Sequence, residues 1–372
     1  MSILFRYLLR EYTKIFLMCL TGLMTVYLVV DFFEKVRRFV RHDPELGTIL
    51  AYFAMKTPLI SFQIAPLAVL MATLLTMGMF IRNHEIIAMR SCGISLYRIG
   101  GPFLSFAVVI SLLLLGFSAV IIPWSSGQAE YIRSVLIEKK SNLAALKGDR
   151  EWLQIGNQTL MNITWVHPDG DLLRGITLYR LGPDFQLTEI TEAHLARYTE
   201  GGWVAESGLR RVFLPNGALT TEAFDRQPIA LSQTPDDFST RLSTEAEEMS
   251  LDELKSYAER LRRDGYSFTR VLTDYHGRIA FPFVCVVMVI VGTALSLRGS
   301  GSRAGGGLAR GIGQALVIGF LYWMTHSVAI ALGRSGRLAT VIGPDPAALL
   351  AGWIANMIFL AFGAYLFLKV RQ

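Results

Sequence analysis

Thr57-Pro-Leu-Ile-Ser-Phe-Gln-Ile-Ala-Pro-Leu-Ala-Val-Leu-Met-Ala-Thr-Leu-Leu-Thr-Met-Gly-Met-Phe-Ile81 runs for 25 residues without a Lys, Arg, Asp or Glu. As a helix, such a run is long enough to cross about 30 Å of hydrocarbon. Pro58 and Pro66 do not exclude this, because neighbouring groups in a bundle re-satisfy the carbonyls a proline frees. Met71, Met77 and Met79 make one end soft and adaptable.

Working outward, Ile99–Ala129, Ile279–Leu297, Gly311–Gly333 and Pro346–Leu368 are also free of these charges, each 19 residues or longer. Ile15–Val30 is shorter at 16 residues, and Tyr12 and Phe32–Phe33 extend it as interfacial flanks. The sum is six spans. Of the 372 residues, 52% are hydrophobic and only 18% charged, where a soluble chain carries about 25%. The first span is followed by bulky charged residues and lacks a small-x-small cleavage site, so it reads as a retained anchor. Cys19, Cys92 and Cys285 make no disulfide framework. The net charge of +6 follows from the membrane flanks and gives no support to nucleic-acid binding.

Loop charge sets the orientation. Arg6, Arg10 and Lys14 precede span one. Arg82, Arg90 and Arg98 separate spans two and three, Arg298, Arg303 and Arg310 separate four and five, and Lys369 and Arg371 end the chain. All fall on one side of a six-span layout, the cytoplasmic side, and both termini with them. The outer side then holds the Lys35–His42 loop, a large insert and the Arg334–Asp345 loop.

The insert has a different character. Trp152–Ile155, Thr159–Val166, Ile176–Leu181, Leu187–Tyr198, Trp203–Glu206 and Arg210–Leu214 are short alternating runs separated by Gly, Pro, Asn and Asp turn signals. They predict an all-β sandwich or open barrel. After it, Ser250-Leu-Asp-Glu253 is a capping box that opens an amphipathic helix with Leu251, Leu254, Ala258 and Leu261 on one face. The domain plan is therefore 1–124 with spans one to three and a cytoplasmic helix at about 83–97; a β domain at 125–248; an amphipathic helix and connector at 249–274; and spans four to six at 275–372.

Two stretches point to function. Val29-Val-Asp-Phe-Phe-Glu-Lys-Val-Arg-Arg-Phe-Val-Arg-His42 places Lys35, Arg37, Arg38 and Arg41 on the outer side, where bases are scarce. One reading is a helix end neutralised by Asp31–Lys35 and Glu34–Arg38 pairs at i,i+4. The other is a face for a phosphate or carboxylate, for which the guanidinium fork is suited. On the cytoplasmic side, Glu85–Arg90 has helical character and Gly93 suits a left-handed cap. This segment is either a plain surface turn or a docking helix that offers Ile86, Ile87, Met89 and Ile94 to a groove. A lone intramembrane His326 is a functional flag; without an acidic partner in any charge-free run, it reads as a packed neutral side chain.

The chain has no His-Glu-x-x-His, Gly-x-Ser-x-Gly, Cys-x-x-Cys or P-loop pattern, so no catalytic residue, metal site or cofactor is expected. Any transport energy has to come from a partner. Other readings are a lipoprotein-release type of ATP-driven permease, which six spans disfavour; a lipid-modifying enzyme using Arg37, Arg41 and His276 at the outer interface, which lacks a nucleophile–base set; and a non-catalytic membrane scaffold.

Three spans, an extracytoplasmic β domain and three more spans resemble the lipopolysaccharide-export permease family LptF/LptG. Arg6-Tyr7-Leu8 with Arg10-Glu11 is similar to the family's start. Glu85-Ile-Ile-Ala-Met-Arg-Ser-Cys-Gly93-Ile-Ser is similar to its coupling helix, Pro123-Trp-Ser-Ser126 to the exit of span three, and Met249-Ser-Leu-Asp-Glu-Leu254 to the helix before span four. The resemblance covers essentially the whole chain and draws on both F-like and G-like motifs. It implies a multi-pass protein of the Gram-negative inner membrane that pairs with a paralogous permease, first and fifth spans facing one another around a lipid-sized cavity. It implies a dimeric cytoplasmic ATPase gripping the coupling helix through Glu85, Ile86, Ile87, Met89, Arg90 and Gly93. It also implies a jelly-roll-like β domain handing lipopolysaccharide to a periplasmic bridge protein, a possible single-span modulator, and lipid phosphates held at Arg37 and Arg38. Lys35 and Arg41 join that site by charge and position.

Overall fold

The computed structural model describes residues 3–42, 44–137, 151–155, 158–166, 171–182, 186–199, 202–214, 218–229, 231, 234–235, 249–263, 267–298 and 307–370. They form two compact units: residues 1–137 with 248–372, and residues 138–247.

The first unit holds six helices long and apolar enough to cross a membrane: Ile3–Val36, Leu46–Arg82, Leu96–Tyr131, Thr269–Arg298, Gly311–Arg334 and Pro344–Lys369. Span one belongs to α1 (Ile3–His42) and span two is α2 (Leu46–Arg82). Between spans two and three lies α3 (Glu85–Ser91). Span three runs through α4 (Leu96–Gly116), a π-helical segment (Phe117–Ile121) and α5 (Ile122–Tyr131), and a second π-helical segment carries the helix on to Ile137. Residues 125–137, assigned to the β insert on sequence, thus continue span three as helix. Gln128-Ala-Glu-Tyr-Ile-Arg133 offers no Gly or Pro to stop it, and Ala129, Ile132 and Ile137 bury against Tyr52 of α2.

The amphipathic helix α6 (Leu251–Arg263) opens with the expected capping box: Ser250 N–H donates to Glu253 Oε2 at 2.8 Å, and Glu253 N–H returns to Ser250 Oγ at 3.3 Å. Leu254, Ala258 and Leu261 are buried. Span four is broken at Phe281-Pro-Phe283 between α7 (Thr269–Ala280) and α8 (Val284–Arg298). Pro282 has no N–H to give, so carbonyls near it lose their helical partners. Two other spans answer them: Asn356 Nδ2 donates to the Ala280 carbonyl at 2.7 Å, and Ser111 Oγ to the Pro282 carbonyl at 2.8 Å. Spans five and six belong to α9 (Gly307–Arg334) and α11 (Pro344–Val370), joined through α10 (Ala339–Ile342). Close backbone approach holds spans four to six together. A Cβ at Gly352 would meet His276 backbone at 2.9 Å, and one at Gly333 would meet Ala351 at 2.6 Å, as small-residue packing in bilayers requires.

In the second unit six antiparallel strands, β1 (Glu151–Ile155), β2 (Thr159–Val166), β3 (Leu172–Leu181), β4 (Leu187–Thr199), β5 (Gly202–Phe213) and β6 (Leu219–Ile229), pair in chain order as one meander sheet. The inserted all-β domain is therefore as expected, with two corrections of detail. Trp203–Glu206 and Arg210–Leu214 belong to one strand, since Ser207, at φ 52°, interrupts the alternation without ending the pairing. The strand β6 escaped the sequence reading because it is a polar, largely exposed edge with Pro228 near its end, as edge strands tolerate. Buried positions fall three apart across one row of the sheet, at Ile163 and Val166, Leu173 and Ile176, and Ala193 and Ala196, yet share a single apolar cluster. Strict alternation would place such pairs on opposite faces. The strands therefore turn their inner face at this row, where Gly175 has φ 62°. Farther along the face that carries Ile176, Leu178 and Ala193, Glu189 bonds Arg180 at 2.8 Å and Arg210 at 2.7 Å, linking β3, β4 and β5. Burial pushes the Glu189 carboxyl up, but the two arginines outweigh it and hold the group below its ordinary value.

Candidate functional site

Helix α1 is divided by its surroundings. Its N-terminal half packs: Leu8, Tyr12, Phe16 and Cys19 are buried. Tyr12 Oη donates to the Val69 carbonyl at 3.2 Å and lies 3.0 Å from Thr73 Oγ1, with Phe103 and Phe106 edge-on to its ring at 4.8 and 5.0 Å. The stretch after it does not: Val26, Val29, Val30 and Phe33 are exposed. Only 17% of the most apolar window of span one and 22% of span five is buried, against 67% for spans two and four. Spans one and five, with span three at 28%, thus carry apolar surface that the chain itself leaves uncovered.

Toward the C-terminal end of α1, Asp31 is buried to 6% exposure. Lys35 Nζ donates to its Oδ1 at 2.5 Å, and Lys56 Nζ of α2 donates to Oδ1 at 2.9 Å and Oδ2 at 3.1 Å. Both ammonium groups also sit over the Tyr52 ring, at 5.6 and 6.0 Å. One carboxylate between two ammonium groups leaves the trio with a formal charge of +1. The α1 backbone continues through Arg37, Arg38 and Arg41 to His42; the side chains of these three arginines lie outside the described residues. The structure thus brings Lys35 together with Asp31, the partner that sequence spacing offered, and adds Lys56. The sequence signal for Lys56 was its place: one base directly ahead of a charge-free run, on the same side as Asp31.

On the other side, α3 sits between two left-handed residues, His84 at φ 60° and Gly93 at φ 79°. Gly93 N–H bonds the Arg90 carbonyl at 2.9 Å and Ile94 N–H the Met89 carbonyl at 3.1 Å, the paired bonds of a glycine-capped helix end. Ile86 and Met89 are buried in the chain's own core, at 4% and 9% exposure, whereas Ile87 is 58% exposed. Of the apolar residues expected to face a partner, Ile86 and Met89 instead fasten α3 to the bundle, leaving Ile87 and Arg90 exposed with Glu85 half-buried. Tyr7 Oη donates to Glu85 Oε2 at 3.0 Å, and Asn83 Nδ2 to Glu85 Oε1 at 3.2 Å.

Mid-bundle, His326 packs between Tyr322, stacked at 5.9 Å, and Phe281 at 5.6 Å. Tyr322 Oη donates to Asn356 Oδ1 at 2.8 Å. His276 lies against Tyr275 near the start of span four, and no nucleophile–base pair joins it among the described residues. Nor do three or more His, Cys, Asp or Glu residues gather as metal ligands among them.

The sequence profile of the family described as lipopolysaccharide export system permease LptF/LptG matches residues 6–369. The lipopolysaccharide export system permease protein LptG of Haemophilus influenzae is 22% identical over 364 residues, which cover 96% of this chain and 94% of that protein. Neither match is local: both span all six apolar helices and the inserted sheet.

Proposed function

The chain belongs to the LptF/LptG family of lipopolysaccharide export permeases, and on that premise we propose that it is the membrane subunit of an ATP-driven exporter. It is a multi-pass inner-membrane protein; in our reading that membrane is Gram-negative and both termini are cytoplasmic, the even number of spans placing them on one side. It takes lipopolysaccharide from the outer leaflet and passes it to a periplasmic bridge protein. Lys35, Arg37, Arg38 and Arg41, joined by Lys56, hold the lipid phosphates, while the uncovered apolar faces of spans one and five meet acyl chains and a paralogous permease. A single-span modulator also fits against such uncovered faces. The chain uses no cofactor and no metal; a dimeric cytoplasmic ATPase hydrolyses the ATP. That partner docks on the exposed side of α3, at Glu85, Ile87 and Arg90, with Ile86, Met89 and Gly93 holding the helix in place.

The observation that carries this reading is the Asp31–Lys35–Lys56 trio with its residual positive charge where the charge-free stretch of α1 ends. Ammonium groups there attract a phosphate in a low-dielectric setting far more strongly than in water. The test is reconstitution of the purified chain with its paralogue and the ATPase in lipopolysaccharide-loaded vesicles. ATP-dependent lipid release supports the reading. ATPase binding without release, or no ATPase binding, leaves a scaffold.

A further inference from the structure

The start of α1 reaches across to the coupling segment. Tyr7 Oη donates to Glu85 Oε2 at 3.0 Å, 78 positions apart in the chain. Its ring lies 5.9 Å from Phe80 at the end of α2, so the side chain is held from two directions although 41% exposed. The helix it belongs to is unbroken from Ile3 to His42, roughly 60 Å at 1.5 Å per residue. Proline is absent from it, and no π-helical turn interrupts it, the usual sources of a kink. At its far end it carries Asp31 and Lys35, bound to Lys56.

We propose that Tyr7 is a positioning residue that ties the coupling helix α3 to span one, so that displacement of α3 by the ATPase is delivered along α1 to the lysine–aspartate trio. The inference rests on the docking role proposed for α3. Buried Ile86 and Met89 hold α3 to the bundle as a whole; the Tyr7 hydroxyl directs its motion into this one helix. Asn83 holds the other oxygen of the same carboxylate, which fixes the direction from which Tyr7 is met. The bond joins a hydroxyl donor to a carboxylate acceptor at 3.0 Å, a pairing whose strength rests on the acceptor's charge.

The test compares the wild-type chain, Tyr7→Phe, and a variant with p-aminophenylalanine at position 7, each in the complete complex with paralogue and ATPase. Phenylalanine keeps the ring against Phe80 and removes the donor; p-aminophenylalanine restores a donor at that position. ATPase binding and ATP hydrolysis should be unchanged in Tyr7→Phe. Lipid released per ATP hydrolysed should fall about 2- to 10-fold, the range that a single hydrogen bond supports, and p-aminophenylalanine should recover it. An unchanged ratio in Tyr7→Phe, or no recovery with the donor restored, overturns the proposal. Loss of ATPase binding in Tyr7→Phe overturns it in favour of a direct docking role. A wild-type complex that binds no ATPase refutes the premise instead, so the two failures are separable.

Discussion

Lys56 Nζ lies 2.9 Å from Asp31 Oδ1, joining α2 to α1 at the level where α1 leaves the apolar zone. Removing Lys56 leaves Lys35 as the aspartate's partner on the same helix, so the carboxylate stays paired while the link between helices is lost. Lys56→Met is expected to cost about 1–3 kcal/mol of stability, measured as a lower melting midpoint in detergent. Asp31→Asn does the opposite to the charge, raising the trio from +1 to +2. An anionic lipid should then be held longer, and lipid release in the reconstituted complex should slow while lipid co-purification rises.

Two neighbouring isoleucines separate anchoring from docking. Ile86 is 4% exposed and Ile87 58%. Ile87→Asp should leave thermal stability within about 0.5 kcal/mol and abolish ATPase co-purification. Ile86→Asp buries an unpaired charge and should prevent stable folding. Equal loss of stability in both would mean that α3 does not sit as described.

Gly93 has φ 79°, and a Cβ there would meet nothing within 4 Å. The cost of Gly93→Ala is therefore backbone strain alone, about 1–2 kcal/mol. It should fray the end of α3 and weaken ATPase binding without touching the spans, visible as faster amide exchange confined to residues 85–94.

Asn356 bridges the Ala280 carbonyl and the Tyr322 hydroxyl. Asn356→Leu loses both bonds and strands the carbonyl at the Pro282 break. Hydrogen bonds of this kind in bilayers average about 0.6 kcal/mol, so a loss of roughly 1–2 kcal/mol is expected, larger than for Tyr322→Phe. The two melting midpoints measure it.

Glu189 lies between Arg180 and Arg210, and its folded-state acidity is stronger than its ordinary value of 4.5. A carboxylate depressed on folding stabilises the fold above its unfolded value and loses that contribution as pH falls through the folded one. The wild type should therefore melt above Glu189→Gln at pH 7, and the gap should close below about pH 4. A gap independent of pH would mean that the pairing contributes nothing.

How much was readable in the sequence follows from which forces are local. Charge-free runs, the Ser250–Glu253 capping box and the glycine cap at Gly93 are written in neighbouring residues, and all are found. Strand β6 was not, because an exposed edge strand needs no apolar alternation. The helical continuation to Ile137 was hidden by expecting a span to end at Pro123-Trp124, although proline at the first turn of a helical segment is permitted. Lys56, the burial of Ile86 and Met89, and the Tyr7–Glu85 bond depend on which helices become neighbours, and periodicity within one helix carries no such information.

In the function proposed above, the outer end of α1 seats the lipid's phosphates. A photocrosslinking residue at Arg38 in cells making lipopolysaccharide, with the ATPase active or hydrolysis-dead, tests it most directly. A lipopolysaccharide adduct at this position whose yield changes with ATPase activity is the expected result. No adduct there, while probes in the β domain still capture the lipid, would contradict it and reduce the basic run to a helix anchor.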